Sequence, residues 1–136
     1  MNEQQFKDRT KKLALEVIQV VDELPRGRTT DILTGQLARA ATSVASNYRA
    51  ACRAKSTADL ISKLGTVEEE SDETGFWLEM LVDAKKVALN RVAAMIREAS
   101  EILAMTVASI KTLRARTRSY PKSKIQNPKF SPVAGR

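Results

Sequence analysis

The side chains of this chain that can hold or transfer a proton are carboxylates, amines, guanidines, two tyrosines and one thiol. Histidine is absent, and Cys52 is the single cysteine. That removes Ser-His-Asp and Cys-His nucleophiles, histidine bases and histidine-liganded metals. One thiol makes neither an internal disulfide nor a Cys-x-x-Cys site, and Cys52 reads as a small unreactive residue. The densest chemistry is the acidic run Glu68-Glu69-Glu70-Ser71-Asp72-Glu73. At about 100° per residue on a helix, Glu68, Asp72 and Glu79 share one flank, and Glu69 and Glu73 lie almost opposite the apolar seam. A di-iron carboxylate site needs Glu-x-x-His pairs, which this chain does not have. The run therefore reads as a solvated face with a few ion pairs. We expect no catalytic residue, no metal, no cofactor and no enzymatic activity.

The cations carry a different message. The net charge is +7, and the last acidic residue is Glu101. Residues 102–136 hold eight basic groups and no acidic one, so residues 1–101 sit at −1. Lys111, Arg114 and Arg118 recur at i, i+3 and i+7 and share a helix face. Together with Arg116, Lys122 and Lys124 they are the candidate contacts to an acidic partner, RNA or DNA. Tyr120 and Phe130 interleave with Lys122, Lys124 and Lys129 and have the chemistry to stack on bases.

The elements that must position these groups are legible as apolar seams. Phe6, Thr10, Leu13, Val17, Val20 and Leu24 recur at spacings of 4, 3, 4, 3 and 4. The same period runs through Leu33, Leu37, Ala40, Val44, Asn47 and Ala51. It returns in Leu60, Leu64, Val67, Ser71, Thr74, Leu78 and Leu81, and in Val92, Ile96, Ala99, Leu103, Thr106, Ile110 and Leu113. Each is the stripe of a helix buried on one side. Pro25 ends the first, residues 29–118 contain no proline, and no strand-like alternation competes. Ser56 and Asn90 are the expected caps of the third and fourth helices.

With short connections, the four helices must alternate in direction. The expected fold is all-α: an up-down-up-down antiparallel four-helix bundle over residues 1–118. A basic, proline-containing tail follows at 119–136, disordered or ordered by a partner. Gly35, Gly65 and Gly75 fall inside helices, where close helix packing is the usual compensation. Asn47, Ser71, Thr74 and Thr106 in the seams read as a polar layer spanning the bundle. Phe76, Trp77 and Met80 point away from the third seam, so a bundle on its own exposes all three. They are the candidate oligomer interface. No apolar run is long enough for a membrane span and no signal peptide is visible, so the expected location is cytoplasmic.

The segment from Gln36 to Ala84 also carries a resemblance. It combines QL-x-RA-x-SV-x-x-NYR (Gln36–Arg49), CRA-x-S (Cys52–Ser56) and EES-DET-x-x-WLE-x-L (Glu69–Leu81). As a set these resemble the bacterial four-helix bundle proteins related to the 23S rRNA intervening-sequence proteins, over roughly residues 5–118. The resemblance implies an up-down-up-down bundle, ring-shaped homopentamers and no established enzymatic activity. It also implies kinship with accessory proteins of reverse transcriptases that are thought to bind nucleic acid. Relatives often carry Glu after Asn-Tyr-Arg, where this chain has Ala50. The resulting expectation is a non-enzymatic homo-oligomer, pentameric by resemblance, that binds nucleic acid as an accessory factor. The alternative is a protein–protein assembly module with no nucleic-acid partner.

Overall fold

A computed structural model describes residues 1–119. Four helices follow one another: α1 (Glu3–Glu23), α2 (Arg28–Ala51), α3 (Thr57–Asp83) and α4 (Leu89–Ser119). They measure 21, 24, 27 and 31 residues, or about 31 to 47 Å at 1.5 Å per residue. Among the described residues there is no strand.

Local chemistry sets the ends. At α1, Asn2 accepts from the Gln5 amide at 2.8 Å and Gln5 accepts from the Asn2 amide at 2.9 Å. This reciprocal capping box satisfies two otherwise unpaired donors. Leu24 and Pro25 then stop the helix. At α3, the Ser56 hydroxyl accepts from the Asp59 amide at 3.0 Å, as expected. The expectation for Asn90 is corrected: α4 begins at Leu89, so Asn90 lies inside the first turn rather than capping it.

Packing holds the helices together. Phe6, Leu13, Val17, Leu37, Tyr48, Leu60, Leu64, Leu78, Leu81 and Ile102 are fully buried. Each such side chain contributes about 1.5–3 kcal/mol, far more than the fraction of a kcal/mol that separates most helix propensities. Phe6 meets Tyr48 edge-on, with ring centroids 4.7 Å apart. α1 packs on α2, α2 on α3 and α3 on α4, as short antiparallel connections require. The α1–α4 side is sparser. Two charged clips span it: Arg9 to Glu98 and Glu101, and Arg91 to Glu23.

Three seam expectations change. In α2 the core position belongs to Tyr48, while Asn47 is half-buried and donates to the Ser43 carbonyl at 2.9 Å. In α4 Val92, Ala99, Thr106, Ile110 and Leu113 are buried as expected, but Ile96 and Leu103 are half-buried, and Met95, Ile102 and Ser109 join the buried face instead. The polar layer does not cross the bundle. Ser71, Thr74 and Thr106 each donate at 2.7 Å to the carbonyl four residues back in their own helix. A hydroxyl satisfied in this way needs no partner on a neighbouring helix.

The glycines are corrected as well. A Cβ at Gly35, Gly65 or Gly75 would meet nothing within 4 Å. Close packing inside the bundle therefore does not account for them.

Candidate nucleic-acid interface

The last turns of α4 carry Lys111, Arg114, Arg116 and Arg118, all exposed. Arg116 and Arg118 fall in the final turn, where the unpaired carbonyls of a helix favour positive charge. Lys111, Arg114 and Arg118 are in no ion pair among the described residues. Lys122 and Lys124, with Tyr120 and Phe130, lie outside the described residues.

Antiparallel order decides what surrounds this segment. α4 runs down, as α2 does, so its C-terminus ends where α2 ends and α1 begins. That end therefore also receives Arg53 and Lys55 from the α2–α3 turn, Arg49 from α2, and Lys7 and Lys11 from α1. The carboxylates there include Glu3, Asp8 and Asp59, and Glu98 and Glu101 of α4 hold Arg9 between Lys7 and Lys11. Asp59 is taken by Lys63 at 2.6 Å and by the Lys55 amide at 3.1 Å, which hold its carboxyl below the usual range. Asp8 accepts from the Gln4 side-chain Nε2 at 2.8 Å.

Lys7, Lys11, Arg49 and Arg53 were not singled out in the sequence. They sit within residues 1–101, whose net charge is −1, and only the antiparallel fold brings them together. The signal available was their spacing: Lys7 and Lys11 are four apart, as are Arg49 and Arg53, so each pair shares a helix face. These four residues line a groove between α1 and α2 of about 580 Å³, whose floor includes Ala14, Leu15, Ile18 and Ala45. Leu15 and Ile18 stand 56% and 39% exposed.

The acidic run divides in two. Arg39 of α2 reaches Glu70 at 2.9 Å and Glu73 at 2.8 Å, and Glu70 is buried. Glu69, Asp72 and Glu79 stay exposed, and among the described residues they are in no ion pair. Among the described residues no three His, Cys, Asp or Glu side chains gather as metal ligands.

Of the candidate interface residues, Phe76 is 48% exposed. The expected exposure of the other two is corrected, because Trp77 and Met80 are half-buried. Trp77 leans on the core, with its ring centroid 4.9 Å from that of Phe76. Its indole nitrogen is buried without a hydrogen-bond acceptor among the described residues.

Cys52, at the end of α2, is half-buried, and burial followed by the nearby Glu3 carboxylate pushes its thiol up to about 11. It is a poor nucleophile there.

These residues define an all-α four-helix bundle with cations gathered at one end. The chain belongs to the 23S rRNA-intervening sequence protein family, whose model matches residues 2–108. It is similar to the crystal structure, at 1.70 Å resolution, of a protein of unknown function from the S23 ribosomal protein family of Bacteroides thetaiotaomicron VPI-5482. The two are 28% identical with a TM-score of 0.75, covering 82% of this chain and all of the other. Among curated proteins, none matches the chain. Neither the family description nor the neighbour's carries an enzymatic activity. Lys111 and the arginines after it lie beyond the matched residues. No helix among the described residues is long and apolar enough to cross a membrane.

Proposed function

We propose that this chain is a non-enzymatic, homo-oligomeric helical protein of the cytoplasm that holds nucleic acid by its basic end as an accessory factor. A pentamer is the preferred assembly because of the family resemblance. One observation carries the reading. Lys111, Arg114, Arg116 and Arg118 are exposed on a helix end with no carboxylate after Glu101, at the end that also receives Arg53 and Lys55. Such a surface meets phosphates and does not read base sequence, so binding is salt-dependent and only weakly selective. Copies of this end in an oligomer add avidity of ~10²–10⁴ where one strand reaches several of them.

The test is fluorescence anisotropy with labelled single-stranded RNA and DNA at several salt concentrations. Each phosphate contact adds about 0.7 to the slope of log affinity against log salt for single strands. Neutralising Arg114, Arg116 and Arg118 to Gln and removing 119–136 should weaken binding and flatten that slope, with the helical spectrum intact. Absence of binding at low salt, or full binding by the altered chain, rejects the reading. The half-exposed Phe76 on an acidic helix face favours the second reading, a protein–protein assembly module.

A further inference from the structure

Two faces of the bundle remain unpartnered, and they are opposite in charge. On α3, residues Gly65, Glu69, Asp72, Phe76, Glu79 and Asp83 follow each other at spacings of 4, 3, 4, 3 and 4, which makes one outward stripe. Phe76 is its apolar knob, and among the described residues Glu69, Asp72 and Glu79 are in no ion pair. Across the bundle, the α1–α2 groove carries Lys7, Lys11, Arg49 and Arg53 at one end and the half-exposed Leu15 and Ile18 beyond them. These four cations are likewise in no ion pair among the described residues.

We propose that the α1–α2 groove receives the α3 stripe of a second copy of this chain. The proposal rests on the homo-oligomeric part of the reading above and assigns its two surfaces.

Three observations argue for it. The first is charge: the carboxylates around Phe76 would face a groove where four cations outnumber the one carboxylate, Asp8.

The second is order along the axis. α1 and α3 run in the same direction. In α1 the cations Lys7 and Lys11 precede Leu15 and Ile18; in α3 the carboxylates Glu69 and Asp72 precede Phe76. Height agrees too. Phe6 lies beside Tyr48, and Arg39 holds Glu70 and Glu73, so counting along the helices puts Phe76 within about one turn of Ile18. Two parallel copies at the same height thus bring Phe76 to Ile18 and Glu69 to Lys11, with Lys7 and Arg49 about 8 and 11 Å lower along the axis.

The third is Gly65, on the same stripe. Inside a helix it costs roughly 1 kcal/mol against alanine, and nothing within the chain approaches it. A bare backbone there lets a second helix pair come close.

The contact joins unlike faces, so each copy keeps one groove and one stripe free for further copies. A rotation between copies closes such a contact into a ring.

The test uses the full chain, light scattering at micromolar concentration, and circular dichroism to confirm that the helices survive. Wild type should show several times 15.0 kDa. Glu69→Lys with Asp72→Lys should fall to monomer mass, and so should Lys11→Glu with Arg49→Glu. The fourfold variant restores opposite charges and should regain the wild-type mass. Retention of that mass by both double variants, or a monomeric fourfold variant, overturns the proposal. A monomeric wild type overturns it together with the homo-oligomeric reading. If both double variants keep their mass while Lys11→Glu with Arg49→Glu loses RNA binding, the groove is a nucleic-acid surface. In that case this proposal falls and the accessory reading stands.

Discussion

Single side chains in this bundle are tuned by what covers them. Cys52 lies where burial and the Glu3 carboxylate disfavour the thiolate, so its pKa rises from the usual value of 9.0 to about 11. At pH 8 the folded chain should react with iodoacetamide between about ten- and a hundredfold more slowly than the urea-unfolded chain. The sign for stability follows. The group favours the folded state below its unfolded pKa, and that contribution is lost as pH rises from about 9 towards 11. Equal alkylation rates in the two states would contradict this. Arg39 offers a second measurement. Arg39→Ala leaves the buried Glu70 without its cation and should cost ~1–3 kcal/mol in urea denaturation. Arg39→Lys should recover only part of it, because one ammonium does not reproduce a fork that reaches both Glu70 and Glu73. Neither effect is visible in the run of acidic residues alone, since nothing in their spacing says which of them Arg39 will hold.

Whole helices were far more legible than their details. The 3-4 period of the seams, set by the 3.6-residue turn, located all four helices, and the absence of proline from 29–118 allowed their length. What escaped were choices made by tertiary packing. Tyr48 took the core place assigned to Asn47 because its ring meets Phe6. Ser71, Thr74 and Thr106 found acceptors in their own helices. The candidate cations of α4 were readable as a charge asymmetry, whereas Lys7, Lys11, Arg49 and Arg53 needed three-dimensional assembly. The α3–α4 connection shows a further conflict. Its amides close a Schellman motif, Lys86 to Leu81 and Lys85 to Val82, both at 2.9 Å. The residue at the turning point is Lys85, with φ of 61°, a conformation that glycine adopts without strain. Lys85→Gly should therefore stabilise the chain by about 0.5–1 kcal/mol. A thermal melt shifted downwards would show that the Lys85 side chain makes a compensating contact.

At the scale of the molecule, the fold turns an uneven charge sequence into a polar object: cations gather at the end shared by α4 and α2, and carboxylates line the outside of α3. Such an object associates through unlike surfaces, and Gly65 exposes the conflict between stability of one copy and assembly of many. Gly65→Ala adds a methyl group that nothing in the chain obstructs. Helix propensity alone predicts that the single chain gains about 1 kcal/mol. If α3 seats in a neighbouring groove, the same methyl group holds the two backbones apart. The variant should then be more resistant to urea when diluted to monomer, yet dissociate at a higher protein concentration than wild type. Urea denaturation at nanomolar concentration and light scattering across a dilution series separate the two quantities. A gain in stability with unchanged dissociation would mean that the α3 stripe faces solvent and that copies meet elsewhere. A loss in both would mean that glycine at this position serves the fold of the single chain.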